Sequence, residues 1–333
     1  MNFLLSSDDN YAPLLGVTVY SLLENNYKDF NEINIFVLDM GISKENKSKL
    51  HSICQNFKTE VNLDFIKSDN IEDLLGIKIK ATRALATYAR LFSCTLLNDN
   101  IDKIIYLDCD AIVDGSFKEL SKLNIEDYYC AGVLDAGPEY INSFLNLPEA
   151  NDHFNAGFLL INLKKWREDN LEDKFLDYII ENNGEVFHND QGVINVICRD
   201  KILKIDPKYN LLSPFFEVDY DNVLKWYGMK KYYSREIVED ALKNPVFIHL
   251  TQFVHGRPWF TNASNHPLRK QFDYYAAKTP FKNEVYVEDN RHLRGKLFSF
   301  TYRILPFSVI CFMFSVFRFS LIKKHKIKPI KKI

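Results

Sequence analysis

The amino-acid sequence predicts an α/β protein with a mostly parallel β-sheet. Short apolar runs typical of buried strands alternate with helical stretches through the first half of the chain, and this alternation is characteristic of sheets with helical crossovers. The first helical stretch carries Leu14, Val17 and Leu22 on one side, and Ser43 stands as an N-cap before the second. The chain has 333 residues. Domains average about 150 residues, but α/β folds often reach about 250 as one unit, so we expect one large domain with an appendage.

The predicted elements follow one another in a regular order. We expect strands at residues 3–5, 33–38, 61–66, 103–107 and 130–134, and helices at residues 11–24, 43–57 and 81–97. The second half continues with a strand at 157–162, a helix after Leu163, a helix at 190–198 and a strand at 246–249. Regular periodicity fades between Tyr209 and Tyr233, where aromatic residues are abundant. That segment is either a substrate-binding subregion or a packing region.

The distribution of charge separates the end of the chain from the rest. Residues 291–333 contain 11 Lys or Arg and no Asp or Glu, which leaves 31 basic and 44 acidic side chains in the preceding 290 residues. A nucleic-acid-binding domain would carry a basic patch on the domain itself, so we expect no nucleic-acid partner. The six cysteines lack C-x-x-C spacing, and the N-terminus lacks the features of a secretory signal. We therefore expect a cytoplasmic protein with reduced thiols.

Two aspartates follow an apolar run at the place where open α/β sheets bind their ligands. Residues 104–107 read I-I-Y-L, and Asp108 and Asp110 come next. Ligands bind beyond the carboxyl ends of such strands, and two carboxylates one residue apart can face one divalent cation. Mg²⁺ and Mn²⁺ prefer oxygen ligands and commonly share open positions with substrate phosphates. The pair therefore predicts a metal site for a phosphate-bearing substrate, with a solvated turn as the alternative.

Four further segments place polar groups around the same edge of the sheet. Residues 6–11 (S-S-D-D-N-Y) follow the first strand, and residues 154–158 (F-N-A-G-F) precede a buried one. Residues 188–191 (H-N-D-Q) open a helix, whose N-terminus directs backbone N–H groups and an acid–amide pair towards the cleft. Residues 249–259 (H-L-T-Q-F-V-H-G-R-P-W) add an imidazole at a strand end and a Gly-Arg pair suited to a diphosphate.

This ordered set of motifs resembles glycosyltransferase family 8, which contains bacterial lipopolysaccharide galactosyltransferases and glucosyltransferases and the glycogenins. The resemblance covers residues 1–275. It implies a single GT-A domain, the nucleotide-diphospho-sugar transferase fold with a Rossmann-like mixed sheet flanked by helices. It further implies a UDP-sugar donor, a Mn²⁺ (or Mg²⁺) cofactor and transfer with retention of the anomeric configuration. Residues 276–333 lie outside the resemblance, and we expect them to form a C-terminal amphipathic and basic extension that associates with membranes.

The resemblance implies roles for individual side chains at the donor site. Asp108, Asp110 and His249 match the metal ligands, but the stretch before Gly256 is longer than in the lipopolysaccharide galactosyltransferases, so His255 is a rival third ligand. The matched donor contacts are Asp8, Asn10 and Tyr11 at the uracil and ribose, Arg90 on the donor, and Gly256 and Arg257 at the diphosphate. The alternative for Asp8 and Asn10 is a helix cap, and for Arg90 it is a surface salt bridge. Thr82 stands where some relatives place a phosphate-contacting His, and no role is transferred to it.

Four positions match the surroundings of the hexose, and three of them are our catalytic candidates. The four are Asp135, Asn155, Asp190 and Gln191, of which Asp135, Asp190 and Gln191 are the candidates. Departure of UDP builds negative charge on the β-phosphate, which a cation and Arg257 would stabilise. The sugar then passes either to a protein nucleophile or directly to the acceptor hydroxyl by front-face attack. Gln191 is an uncharged amide and a poor nucleophile, which favours the front-face route.

The end of the chain combines an apolar stretch with a polybasic one. Residues 304–317 carry no charge, but these 14 residues are short of the roughly 20 that span a bilayer. Six lysines follow between Lys323 and Lys332. An apolar helix with a polybasic end resembles an interfacial anchor on an anionic membrane surface. A marginal span and packing on the body are the alternatives. We expect a peripheral protein on the inner face of the cell membrane.

The predicted function is transfer of glucose or galactose from a UDP-sugar to a cell-surface glycan or lipid-linked acceptor, as in lipopolysaccharide or surface polysaccharide biosynthesis. Two other functions stay open. A haloacid-dehalogenase-like phosphatase also places D-x-D after a strand, although its motif usually lies near the N-terminus and continues with Thr or Val, whereas Ala111 follows here. A catalytically silent UDP-sugar-binding membrane protein would keep the same donor-site residues.

Overall fold

The computed structural model describes residues 1–68, 87–137, 140–148, 152–302 and 304–312. In chain order, its strands are β1 Asn2–Ser7, β2 Glu32–Asp39, β3 Glu60–Lys67, β4 Lys103–Leu107, β5 Ala111–Val113, β6 Cys130–Leu134, β7 Phe154–Asn162, β8 Ile202–Lys204, β9 Leu211–Leu212 and β10 Phe247–His249. The α-helices are Ala12–Asn26, Lys44–Cys54, Ser93–Leu96, Lys118–Ser121, Tyr140–Phe144, Leu163–Glu168, Leu171–Glu181, Asn189–Ile197, Pro214–Glu217, Tyr220–Tyr227, Arg235–Lys243, Arg269–Ala276 and Leu293–Tyr302. Short 3₁₀ helices occupy Ala89–Phe92, Arg199–Lys201 and Pro207–Tyr209.

The central sheet is mixed and has the strand order β3-β2-β1-β4-β7-β6-β8. Its first four strands in that order are parallel neighbours, whereas β7 runs antiparallel to both β4 and β6. All nine residues of β7 are buried, which agrees with a near-continuous apolar strand covered on both faces. The sheet therefore confirms the predicted α/β class, but the reversed β7 makes it mixed rather than mostly parallel along its second half.

A small second sheet joins the strand after the D-C-D turn to two strands from the C-terminal half of the chain. Its order is β5-β10-β9, and β5 pairs antiparallel with β10 so that Ala111 stands opposite His249. The Leu250 N–H donates to the Asp110 carbonyl at 2.9 Å. The Thr18 hydroxyl, from helix Ala12–Asn26, lies within 2.8 and 2.9 Å of the Cys109 and Ala111 carbonyls. The D-C-D turn is thereby fixed between a core helix and a strand from the C-terminal half.

Packing of the body continues beyond residue 275. The Phe281 ring is fully buried, and a Cβ atom on Gly16 would lie 2.5 Å from its Cδ2 atom, so helix Ala12–Asn26 receives the ring only because residue 16 is glycine. Val285 is buried in a second apolar cluster with Trp259 and Phe272. The division at residue 275 stays a prediction about domains, while the apolar contacts of the body extend to Val285.

Most predicted elements agree with the structure to within two or three residues at each end. Ser43 is an N-cap, because its Oγ accepts the Asn46 N–H at 3.3 Å. The predicted helix at 81–97 is only partly described, since residues 69–86 and with them Thr82 lie outside the described residues. From Ala89 onward it is a 3₁₀ turn followed by one α-turn. Within the described residues, no helix is long and apolar enough to cross a membrane.

The aromatic-rich segment between Tyr209 and Tyr233 is partly helical and contributes to the core. Tyr209, Phe215 and Tyr233 are buried in the main apolar cluster. The Tyr233 hydroxyl accepts the Leu134 N–H at 3.2 Å and donates to the Ile205 carbonyl at 2.6 Å. For these three rings the packing interpretation is therefore the right one.

Candidate active site

Two carboxylates and one imidazole converge beyond the end of β4. One ligand atom from each of Asp108, Asp110 and His249 lies within 4.8 Å of the other two. The His249 Nε2 atom is 3.2 Å from Asp110 Oδ1 and 3.6 Å from Asp108 Oδ2. The antiparallel pairing of β5 with β10 causes this convergence, because it places His249 opposite the residue that follows Asp110. The sequence predicted both the carboxylate pair and this third group.

Gly157 leaves the space in which the His249 ring lies. A Cβ atom at residue 157 would be 2.3 Å from His249 Cε1 and 2.4 Å from Nδ1, far inside van der Waals contact. The Gly157 carbonyl also accepts the Asp108 N–H at 2.8 Å. The glycine of the N-A-G motif therefore supports the position of both a carboxylate and the imidazole. This role was not predicted, although the motif itself was singled out.

The charges around the triad favour the ionised form of Asp110. The Arg257 guanidinium donates through Nη1 to Asp110 Oδ2 at 2.8 Å. Burial opposes ionisation of Asp110, but His249 and Arg257 outweigh it and hold the pKa of Asp110 well below its usual range. Burial also lowers the pKa of His249, yet Asp110 and Asp108 raise it more, so the net pKa lies above the ordinary value. Two carboxylates with one imidazole form a set of ligands that suits Mn²⁺ or Mg²⁺ with open positions left for phosphate.

Arg90 is buried and joins the triad to the rest of the site. Its Nη2 is 3.1 Å from Asp108 Oδ1, its Nε is 3.2 Å from Asp190 Oδ2, and its Nη1 donates to the Ala156 carbonyl at 3.0 Å. The guanidinium carbon lies 3.9 Å from the centre of the Tyr106 ring, whose hydroxyl donates to Asp108 Oδ1 at 2.7 Å. Only 6% of the side chain is exposed, so the surface salt-bridge alternative is wrong.

The Asp190 carboxyl is buried, and its pKa is raised above the ordinary value. Burial raises its pKa to about 6, although Arg90 lowers it in part. The helix Asn189–Ile197 begins next to this residue. A Cβ atom on Gly192 would lie 2.0 Å from the Phe187 carbonyl oxygen, so the glycine allows the preceding loop to approach the helix closely. A buried acid with a raised pKa, in contact with a buried arginine, is typical of a functional position.

Gln191, Asn155 and Asp135 form one hydrogen-bonded network. Gln191 Oε1 accepts the Ala156 N–H at 3.1 Å, and its Nε2 donates to Asp135 Oδ2 at 3.0 Å. Asn155 Nδ2 donates to Asp135 Oδ1 at 3.0 Å, and Asn155 Oδ1 accepts the Gly157 N–H at 2.9 Å. The four predicted hexose positions therefore lie together, since Asp190 precedes Gln191 on the same helix.

Two histidines complete this network and were not predicted as site residues. His153 Nε2 lies 3.0 Å from Gln191 Nε2, and His188 Nδ1 lies 3.3 Å from the same atom. One ligand atom from each of Asp135, His153 and His188 falls within 4.8 Å of the other two. His188 was visible in the H-N-D-Q segment, but His153 precedes β7 without any motif that marks it.

The predicted nucleotide contacts lie at the start of the first helix. The Asp8 Oδ1 atom accepts the Tyr11 N–H at 2.9 Å in the turn before the helix, and the helix itself begins at Ala12 without a side-chain cap at its N-cap residue Tyr11. Asn10 is exposed, and Tyr11 keeps 44% of its surface accessible. Partial burial raises the pKa of Tyr11, and the nearby Asp110 carboxylate raises it further, which puts the ring beside the metal triad. This turn and a ligand contact are compatible, because the turn uses only one Asp8 oxygen.

His255 lies apart from the triad and is paired with a buried glutamate. Its backbone N–H and its Nδ1 are 2.7 and 2.9 Å from Glu217 Oε2. Gly256 follows with φ +86°, a left-handed backbone conformation that favours glycine. The helix Leu293–Tyr302 covers this loop, since Ser299 donates to the Val254 carbonyl. In this loop His255 is paired with Glu217, whereas Arg257 contacts Asp110.

Comparisons with known proteins point to one enzyme family. A family model described as Glycosyl transferase family 8 matches residues 2–263. A Haemophilus influenzae protein is 34% identical over 63% of this chain and 63% of its own length. General stress protein A of Bacillus subtilis is 30% identical over 84% of this chain and 94% of its own. Lipopolysaccharide 1,2-glucosyltransferase of Escherichia coli is 27% identical over 84% of this chain and 78% of its own.

One solved structure confirms the fold. Galactosyltransferase LgtC, in complex with donor and acceptor sugar analogs, gives a TM-score of 0.66 at 22% identity, over 84% of this chain and 96% of that chain. The likeness agrees with the GT-A fold that the sequence predicted.

Proposed function

The chain belongs to glycosyltransferase family 8, and from this premise we propose that it is a retaining hexosyltransferase that moves glucose or galactose from a UDP-sugar with the help of Mn²⁺ or Mg²⁺. The observation that carries the proposal is the convergence of Asp108, Asp110 and His249 next to the buried Arg90–Asp190 pair. The donor set fits a divalent ion, because it offers two carboxylates and one imidazole nitrogen. Such an ion would bind the diphosphate and stabilise the negative charge on departing UDP.

The residues of the chain have separate tasks in this reaction. Arg257 forms an ion pair with Asp110 of the triad. A diphosphate bound at the triad would therefore meet a positive group that is already oriented. Arg90 holds the carboxylates of Asp108 and Asp190 at fixed positions on either side of its guanidinium. Preoriented charges of this kind stabilise the transition state because they need no reorganisation during the reaction.

The hydrogen bonds of the two candidate nucleophiles favour front-face attack by the acceptor. The Gln191 carbonyl oxygen already accepts the Ala156 N–H, and the amide is uncharged. The Asp190 carboxylate is buried against Arg90, which reduces its nucleophilicity. Asp135, bonded to both Gln191 and Asn155, is then the side chain that orients hexose or acceptor hydroxyls. A glycosyl-enzyme trapped on Asp190 or Gln191 with donor alone would overturn this route.

The acceptor proposal rests on the relatives and on the end of the chain. The Escherichia coli relative is a lipopolysaccharide glucosyltransferase, and a cell-surface glycan or lipid-linked acceptor would be built at the cytoplasmic face of the membrane. The helix Leu293–Tyr302 exposes Leu293, Leu297 and Phe300. Arg294 and Lys296 stand on the same helix. We propose peripheral attachment to anionic lipid, because apolar and basic groups act together in interfacial anchors.

Donor use is tested with the full-length protein and a panel of UDP-glucose, UDP-galactose and their N-acetyl forms. We expect UDP release from glucose or galactose donors with Mn²⁺, loss of release in EDTA, and loss in Asp110→Asn. The control is Asp114→Asn, because Asp114 accepts the Tyr275 hydroxyl at 2.9 Å outside the triad. Release of inorganic phosphate from simple phosphate esters, with no UDP release, would favour the phosphatase alternative. Donor binding without turnover would favour the silent binding protein.

Membrane attachment is tested by sedimentation with lipid vesicles. We expect the protein to bind vesicles that contain phosphatidylglycerol and to stay in solution with phosphatidylcholine alone. Deletion of residues 313–333 removes six lysines and should abolish binding to the anionic vesicles. Donor hydrolysis should persist in this variant, since residues 289–302, which contact the 253–257 loop, are kept. Binding of the shortened protein at full strength would contradict the proposal.

A further inference from the structure

Three groups that can ligate a metal surround the side-chain nitrogen of Gln191. Asp135 Oδ2 and His153 Nε2 are each 3.0 Å from Gln191 Nε2, and His188 Nδ1 is 3.3 Å away. The groups come from three separate elements, namely the end of β6, the start of β7 and the start of the helix Asn189–Ile197. The cluster is distinct from the triad of Asp108, Asp110 and His249.

The hydrogen atoms of the amide are too few for the acceptors around it. The Ala156 N–H donates to Gln191 Oε1, which fixes the orientation of the amide and directs its NH₂ group at the cluster. An NH₂ group has two hydrogens, whereas three acceptors face it. When both ring nitrogens are unprotonated, the amide leaves one of the three lone pairs without a hydrogen, and an imidazole that carries its proton there faces the amide donor instead. A cation satisfies all three lone pairs at once.

The cluster consists of two imidazoles and one carboxylate, and the ligand atoms of all three lie within 4.8 Å of one another. His188 is exposed, so an ion in solution reaches the cluster directly. Two imidazoles and one carboxylate suit Zn²⁺ and similar transition ions better than Mg²⁺.

We propose that Asp135, His153 and His188 form a second cation site, specific for Zn²⁺-like ions, in which the metal takes the place of the Gln191 amide. Metal–ligand distances in such sites are about 2.0–2.2 Å, so the ligand atoms close in on the ion and the amide moves away. Gln191 then loses its contact with Asp135. On the proposed function, this site inhibits sugar transfer, because Asp135 and Gln191 line the hexose position.

Zn²⁺ binding is measured first, without reference to activity. The measurement uses a double variant, Asp108→Asn with Asp110→Asn, in which the first site is disabled. A chromophoric chelator competes with the protein for Zn²⁺ and reports the amount bound. We expect one equivalent of bound Zn²⁺, weakened about tenfold or more by His188→Gln or His153→Ala. His51→Gln is the matched control, because His51 lies on helix Lys44–Cys54, away from the cluster, and should leave binding unchanged. Gln191→Ala should tighten binding, since it removes the group that competes for the position.

The outcomes separate this proposal from the proposed function. Absence of Zn²⁺ binding in the double variant, or binding that His188→Gln and His153→Ala leave unchanged, overturns the second site. His188 is exposed, so His188→Gln keeps the fold even where His153→Ala does not, and thermal melting checks both. At saturating Mn²⁺, micromolar Zn²⁺ should inhibit UDP release by the wild type, and His188→Gln should be about tenfold less sensitive. Zn²⁺ binding with no UDP release in any protein would refute the proposed function and leave the site intact.

Discussion

Replacing Gly157 by alanine tests whether the His249 ring is held where a metal requires it. The new Cβ atom would lie 2.3 Å from His249 Cε1 and 2.4 Å from Nδ1, about an ångström and a half closer than the 3.5–4.0 Å optimum for carbon pairs. Gly157 lies in the fully buried strand β7, so the backbone has little room to move. The ring is the part that yields, and it yields by rotating away from Asp108 and Asp110.

Gly157→Ala should lower the affinity for the metal more than it lowers the stability of the fold. Overpacking a core typically costs about 1–3 kcal/mol, and rotation of the ring relieves part of that. A ligand that is turned away, however, weakens a metal site at least as much as loss of a supporting hydrogen bond, which costs about 10- to 100-fold in affinity. We therefore expect Gly157→Ala to weaken Mn²⁺ binding at least about tenfold, close to the effect of His249→Ala.

Manganese affinity is measured from the electron paramagnetic resonance signal of free Mn²⁺ during a titration, with thermal melting of the same samples. Gly132→Ala is the matched control. This glycine also lies in a buried strand, but its Cβ would meet Leu159 Cδ2 at 3.3 Å, the end of a flexible side chain away from the site. It should bind Mn²⁺ like the wild type. If Gly157→Ala folds and binds Mn²⁺ with wild-type affinity while His249→Ala binds Mn²⁺ more weakly, these results refute the argument.

Three further changes test other parts of the site. Arg90→Lys keeps the charge but cannot reach three acceptors, so the free energy of unfolding measured in urea should fall by about 1–3 kcal/mol. An unchanged urea midpoint would contradict the buried network. Burial raises the pKa of Glu217, but His255 and His266 lower it more and leave the net pKa below its usual value. The stability that wild type gains over Glu217→Gln is therefore complete above the ordinary carboxyl pKa of about 4.3 and is lost as the pH falls below it; a constant difference across urea titrations from neutral pH to about pH 3 would contradict this. Ser299→Ala removes the hydrogen bond to Val254 beside the Gly-Arg loop and should weaken UDP binding several-fold in calorimetry; UDP affinity equal to wild type would contradict a link between the final helix and that loop.

The sequence was sufficient for strands β1 to β4 and for the Asp108–Asp110 pair, because both depend on local patterns. Apolar runs mark β1 to β4, and polar residues at their carboxyl ends meet by the geometry of parallel strands. The choice of His249 over His255 could not be made locally. It depends on the pairing of β5 with β10, which joins positions far apart in the chain, and on Glu217, which holds His255 elsewhere.

Two strands of the small sheet and the histidine cluster were beyond prediction for a related reason. Strands β5 and β9 have three and two residues, too few for an alternating pattern to be read. His153 gains its place only because β6 and β7 pair antiparallel, which puts the start of β7 next to Asp135 at the end of β6. Likewise, Gly157 could be seen as part of a motif, but the ring that requires it comes from β10.

The central claim is that the triad binds a divalent ion that in turn binds UDP, and thermal melting with UDP tests it most directly. Full-length protein is melted with Mn²⁺ alone, UDP alone and both together, and the same series is run on Asp110→Asn. Ligand at 100 times its Kd stabilises a protein by about 2.7 kcal/mol. We predict a clear rise in melting temperature only when Mn²⁺ and UDP are both present, and none in Asp110→Asn. An equal rise with UDP in EDTA, or no rise under any condition, would contradict the account.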